Sequence, residues 1–340
     1  VKPSAAILEV VAATDTAILA GEYATLTERC GLVDRSERGK LALTGSGAVD
    51  FLNGQVTNEL AGMKPGEGCY AAFLTHKGKM LGDLRILAVA EDPQGMPAEL
   101  LLDTERTALQ ALFDMIRRFK VGYEVELHKR TLERSLFSMI GPSADEVVAK
   151  SFALAVVDLP EENDHVLVSL EQTPVRLIRT DVGIDTLVDS SAAERIRGAL
   201  ESAGAVGVSE AAAEIVRIER GRPRYGIEID ESTIPQEAGL NERAVNFTKG
   251  CYVGQETVAR LYYRGKPNRH LRGLRLSEPA EAGAELRLGE RSIGHLGSSL
   301  VSPALGPIGL ALVRREAEPG ATVAVGDNGV TAIVSELPLV

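Results

Sequence analysis

The chain has 340 residues, and at roughly 100–200 residues per domain that length gives two or three domains, each able to bury a core without disulfide staples. Hydrophobic residues make up 44% and charged residues 25%, which excludes a disordered or low-complexity chain. Forty-eight acidic against 37 basic residues give a formal charge of −11, which excludes nonspecific adhesion to duplex DNA or anionic membrane over the whole surface and leaves room for a local basic site.

No run reaches the roughly 18 apolar residues of a membrane helix, since Glu9 and Asp15 break the apolar start; neither a signal peptide nor a span is expected. The first residue is Val1, so a trimmed leader stays open. Cys30, Cys69 and Cys251 are odd in number and lack CxxC spacing, which predicts a reducing, cytoplasmic setting.

In chain order, a strand-like Leu41–Thr44 precedes Gly45-Ser46-Gly47, a phosphate-loop fragment without its third glycine. Strands are expected at Leu84–Ala90 and Glu99–Leu102, joined by a turn at Asp92–Pro97. Leu109, Leu112, Phe113 and Ile116 fall at i, i+3, i+4, i+7, which predicts an amphipathic helix capped by Asp103 or Thr104 and stopped at Gly122. Tyr123–Leu127 alternates like a strand. A second unit follows: a strand at Leu136–Ile140, a capping box of Ser143 and Glu146, a strand at Val175–Thr180 and a helix near Ala192–Ala203. Two such units in succession predict an α+β fold with two ferredoxin-like split sheets. Arg264–Asn268 reads as a linker. Beyond it short β runs predict a small barrel, and Asp327-Asn328-Gly329 between Val323–Val325 and Val330–Val334 predicts a type I′ hairpin.

The five histidines form no i, i+4 pair and none adjoins a cysteine, so no metal site is expected. The run Lys249-Gly250-Cys251-Tyr252-Val253-Gly254-Gln255-Glu256 stands out. Its glycines permit close backbone approach on either side of Cys251, and Lys249 is placed to favour a thiolate. A small buried cysteine that only packs is the competing reading. Eight basic residues and one acid lie between Arg243 and Arg275, against the overall charge. With Arg217, Arg220, Arg222 and Arg224 they fit a multi-carboxylate ligand or a phosphate backbone as readily as a solvated face.

The segments Arg217–Glu228, Pro235–Leu240 and the KGCYVGQE run closely resemble the folate-binding YgfZ family, relatives of the glycine cleavage T-protein (aminomethyltransferase) and of mitochondrial iron–sulfur assembly factors. Gly31–Gly39, Phe51–Asn58 and Tyr70–Asp83 agree, as do Gly294, Ser302-Pro303 and Ile308–Ala311. The resemblance implies a three-domain cloverleaf round a folate channel: residues 1–266 as two α+β domains interleaved in sequence, residues 267–340 as a C-terminal β-barrel. It implies tetrahydrofolate as ligand, with Tyr70, Asp185, Arg217 and Tyr225 binding it and Asp83 matching a catalytic aspartate; the neighbouring acid of that family is Gly82 here. The folate's chemistry suits these residues: a pterin presents paired donors to a carboxylate, its rings want apolar walls, and its glutamate tail wants arginine.

The function so implied is iron–sulfur cluster assembly or repair, supporting cluster-dependent enzymes including tRNA-modifying ones, with iron–sulfur apo-proteins or assembly machinery as partners and Cys251 and Lys249 as a reactive corner beside the channel. Whether that thiolate takes a one-carbon unit, holds a persulfide or meets a cluster stays open. The alternatives are a folate-dependent aminomethyltransferase built on Asp83 and a nonenzymatic scaffold. No stable nucleic-acid complex and no membrane partner are expected.

Overall fold

The computed structural model describes residues 16–91 and 97–340, arranged round three sheets. The first sheet runs in the order Val206–Gly207, Gly31–Asp34, Arg134–Ile140, Gly183–Asp189, Thr173–Thr180, His165–Leu170. The second runs Gly68–Leu74, Met80–Glu91, Pro97–Thr104, Gly39–Thr44, Glu126–Lys129 and is antiparallel throughout. Because Gly31–Asp34 enters the first sheet before any strand of the second is made, the two units interleave along the chain. The third sheet takes seven strands from Arg269 onward and curls as a barrel. The fold is thus the expected three-domain α+β architecture.

Each sheet has its own apolar cluster: Phe51, Phe73, Met80 and Ile86 under the second, Phe137, Met139, Ile184 and Ile196 under the first, Leu274, Leu286 and Val334 inside the third. Strands such as Arg134–Ile140 are buried almost continuously rather than alternately, because both faces of the sheet are covered. Helix Glu210–Glu219 is buried nearly all round, with Ala212 and Ala213 against the first sheet and Ile215 and Ile218 against the barrel. Its start is fixed by Ser209, whose hydroxyl accepts from the amide of Ala212 at 3.3 Å. That burial carries Glu214 and Arg217 into the seam between the units.

Several local expectations change. The helix that packs on the second sheet spans Leu109–Phe119 with Leu112, Met115 and Ile116 buried, but Asp103 and Thr104 continue the strand before it, opposite Lys40 and Gly39. Asp103 therefore serves ion pairs instead of a cap. Tyr123 lies in a turn, and the following strand is Glu126–Lys129. Ser143 occupies the N-cap of Ala144–Ser151 without a side-chain cap bond. In the last hairpin Val325 pairs with Val330, so four residues, 326–329, make the loop rather than a two-residue type I′ turn. Residues 92–96 of the expected turn at Asp92–Pro97 lie outside the described residues. Among the described residues no helix is long and apolar enough to cross a membrane.

Candidate functional site

Asp83 and Arg85 are two apart on one strand, so both face the same side of the second sheet. The adjacent strand sets Tyr70 opposite Arg85 and Ala72 opposite Asp83, which leaves Tyr70 diagonal to the acid. Its hydroxyl donates to Asp83 Oδ2 at 2.5 Å. Asp83 is 6% exposed. Burial lifts its carboxyl to about 6; the Tyr70 hydrogen bond and Arg38 pull against that rise, and the nearby Glu105 adds to it. An acid poised there can hold or release a proton near neutral pH.

Arg85 ties the two units together. Its Nη1 donates to Asp185 Oδ2 at 2.8 Å on the first sheet, and its Nη2 donates to Asp103 Oδ2 at 2.7 Å on the second. Asp103 also accepts from Arg38 Nε at 2.8 Å. Burial pushes the Asp103 carboxyl up, and Arg38 and Arg85 more than reverse it, so it stays below the usual range. The third nitrogen of this guanidinium, Arg85 Nε, is buried with no acceptor among the described residues.

These groups line a hollow of about 200 Å³ at the seam of the first two sheets, closed below by helix Glu210–Glu219. Arg217 reaches it from that helix; its Nε donates to Glu214 at 3.0 Å and its Nη2 to Ser298 of the barrel at 2.6 Å. Arg220 and Arg222 are more exposed, and both approach Asp181, at 3.7 and 2.8 Å. Val182 and Ile140 supply apolar wall. Of the residues expected at the site, the structure brings together Tyr70, Asp83, Asp185 and Arg217. Tyr225 is packed in the core under the second sheet, outside the residues lining the hollow, and burial pushes its phenol up to about 12.

Lys249 and Cys251 lie outside that hollow. The Lys249 ammonium turns inward and donates to the carbonyls of Asn53, Val56 and Asn58 at 2.8, 2.9 and 2.5 Å. All of its donors are committed there, at the end of helix Ala48–Asn53, where unpaired carbonyls and the helix dipole favour a cation. Burial draws this ammonium down to about 8. Cys251 is exposed and is not among the residues lining the hollow that holds Asp83. The Lys249 donors are thus spent on backbone carbonyls, and neither Lys249 nor Cys251 lines the hollow that holds Asp83.

The glycines of that run divide likewise. Gly254, at φ +86°, lets the loop dock on the Thr75–Gly78 turn, where a Cβ would come within 2.6 Å of the Thr75 carbonyl; a Cβ at Gly250 would meet only open space. At Gly82 a Cβ would lie 2.6 Å from Ala108 and Phe73, so a second acid beside Asp83 has no room. The sequence reading does not reach Arg38 or Arg85, and it assigns Asp103 to a helix cap instead of the site. The signal for Arg85 was its two-residue spacing from Asp83; nothing local announced Arg38 or Asp103.

A buried acid held near neutrality in an arginine-lined hollow suits proton handling on a small polar ligand, so fold and site together define a three-sheet small-molecule-binding protein. Family comparison narrows that class. The GCVT N-terminal domain matches residues 12–249 and the glycine cleavage T-protein C-terminal barrel domain matches residues 269–340; the chain belongs to this T-protein family. Among similar proteins, an aminomethyltransferase of Halothermothrix orenii is 26% identical over 94% of this chain and 90% of its own. A chloroplastic protein of Arabidopsis thaliana, whose name proposes a transferase, is 28% identical over 90% of this chain and 70% of its own. The crystal structure of the glycine cleavage system aminomethyltransferase T from Bartonella henselae superposes with a TM-score of 0.84 at 23% identity, covering 95% of this chain and 89% of that one, a likeness of fold.

Proposed function

We propose that the chain binds tetrahydrofolate in the hollow between the first two sheets and transfers a one-carbon unit, as a folate-dependent aminomethyltransferase of T-protein type. The observation that carries this reading is Asp83: a buried carboxyl near neutrality, pinned by Tyr70, inside a cavity whose other polar walls are arginines and their partners. The donor set fits the ligand. The Asp185 carboxylate and the buried, unpartnered Arg85 Nε put an acceptor and a donor side by side for a pterin edge. Arg220 and Arg222 offer cations to an anionic glutamate tail, and Arg217 fixes the floor. Tetrahydrofolate supplies the nitrogens that accept the one-carbon unit. Asp83 would take at Oδ1 the proton that such a nitrogen loses on bonding the one-carbon unit, while Tyr70 keeps Oδ2 in place and helix Glu210–Glu219 closes the floor.

The test has two arms. Tetrahydrofolate at about 100 times its Kd should stabilise the protein by roughly 2.7 kcal/mol; no rise in melting temperature at any concentration rejects the site. With a lipoyl-bound aminomethyl donor, Asp83→Asn should keep folate binding and lose turnover by about 10²–10⁴-fold.

A second reading is supported by the exposed thiol of Cys251. It is that of a YgfZ-type factor in iron–sulfur cluster assembly or repair, meeting apo-proteins or assembly machinery at the KGCYVGQE loop. Complementation of a strain lacking its homologue decides: loss of a cluster-dependent activity with Cys251→Ala but not with Asp83→Ala supports this reading over the transferase.

A further inference from the structure

Tyr70 is itself held. The guanidinium of Arg243 lies over its ring, 4.6 Å from the centroid. Glu162 takes that guanidinium in a two-pronged pair, through Nε at 3.1 Å and through Nη2. The backbones are stitched as well, since Asn58 Nδ2 donates to the Tyr70 carbonyl at 2.9 Å and reaches the Arg243 carbonyl at 3.5 Å. Tyr70 comes from the strand Gly68–Leu74 and Arg243 from the short helix Asn241–Ala244, while Glu162 precedes the strand His165–Leu170. No local sequence rule demands that these segments meet.

Resting on the reading that Asp83 is the acid–base group, we propose that Arg243 is a positioning residue: clamped by Glu162 over the Tyr70 ring, it holds the phenol in line to donate to Asp83 and so keeps that carboxylate aimed into the hollow. A planar guanidinium suits both tasks, stacking on an aromatic face while its edge binds a carboxylate in a fixed fork. Burial and the charge of Asp83 push the Tyr70 phenol well above its ordinary range, and Arg243 draws it back. A more acidic phenol gives the stronger hydrogen bond to a carboxylate. That bond is the main influence opposing the burial of Asp83.

The other groups facing Asp83 reach it by separate routes. Glu105, just past the strand Pro97–Thr104, raises it, and Arg38, ahead of Gly39–Thr44, lowers it while paired to Asp103 and Glu105. Tyr225, from the core side, feels the charge of Asp83, and Thr104 Oγ1 donates to the Asp83 carbonyl at 2.5 Å. Arg85 is committed to Asp103 and Asp185. None of these contacts runs through Arg243, so its loss reaches Asp83 through Tyr70.

The experiment follows the Asp83 carboxyl by ¹³C NMR through a pH titration of the ligand-free protein, in wild type, Arg243→Gln, Arg243→Lys, Glu162→Gln, Tyr70→Phe and the double variant Arg243→Gln/Tyr70→Phe. Arg243→Gln should raise the midpoint by about half a pH unit. Tyr70→Phe should raise it more, and Glu162→Gln less. Arg243→Lys, which keeps the cation without the fork, should fall between wild type and Arg243→Gln and carries the test if the glutamine variant does not fold. In the Tyr70→Phe background the Arg243 change should add almost nothing. An unmoved midpoint in both Arg243 variants overturns the proposal, and so does an equal shift with and without the Tyr70 hydroxyl, which would mean a charge acting across space. The titration needs no folate, so a protein that fails to bind tetrahydrofolate would sink the proposed function and leave this outcome readable.

Discussion

The hollow around Asp83 and the Lys249–Glu256 loop both carry an ionisable pair that looks reactive, and the protein builds them in opposite ways. In the hollow, Asp83 is buried under one phenol with no cation in direct contact among the described residues, which leaves its carboxyl near neutrality. In the loop, the Lys249 ammonium is saturated by three carbonyls and serves as a pin between segments, while Cys251 stands in solvent without it. A group partly stripped of water and incompletely compensated keeps the capacity to exchange a proton; a group whose donors are all spent holds structure.

Three substitutions press on that contrast. Lys249→Met should cost about 2–4 kcal/mol in urea unfolding, because the carbonyls of Asn53, Val56 and Asn58 lose their donor at once. A cost under about half a kcal/mol would mean that the ammonium is not a pin.

Asp83→Asn should do the reverse and stabilise the fold. The carboxyl rises from 3.8 to about 6 on folding, so between those pH values the folded state binds more protons than the unfolded one. Stability from this group is complete below the unfolded value and is lost as pH rises through the folded one. The asparagine variant should therefore gain up to about 1–3 kcal/mol over wild type above neutrality, with the gain shrinking as the pH falls toward 4. Equal stabilities across the whole range would place Asp83 in water-like surroundings and dissolve the comparison. Smallest of all, Cys251→Ser should change stability by no more than about 0.5 kcal/mol, as expected of an exposed side chain. A larger loss in thermal melting would put that thiol inside the structure.

The fold was far more legible than the site. Periodicity in Leu109–Ile116, the alternation of short β runs after Asn268 and the two successive α+β units are local patterns, and the architecture follows them. Of the site, Tyr70 and Asp83 are legible only through the family resemblance, and the strand register that sets them diagonal to one another belongs to the structure. Asp103 was misread as a cap, since an aspartate before a helical pattern looks the same whether its carboxylate meets an amide or a guanidinium. Arg85 was missed because its partners, Asp103 and Asp185, lie on different sheets.

By itself the sequence determined the helix at Leu109–Ile116, the strands near Leu84, Leu136 and Val175, and the β-rich end after Asn268, together with a local excess of arginine, because these depend on spacing and composition over a few residues. Only the tertiary structure decided that the Lys249 ammonium is taken by three carbonyls, that Arg85 clasps two sheets, and that Arg243 lies on Tyr70. Such pairings join residues that are tens to hundreds of positions apart, and electrostatic contact and burial depend on distance in space, to which chain order is blind.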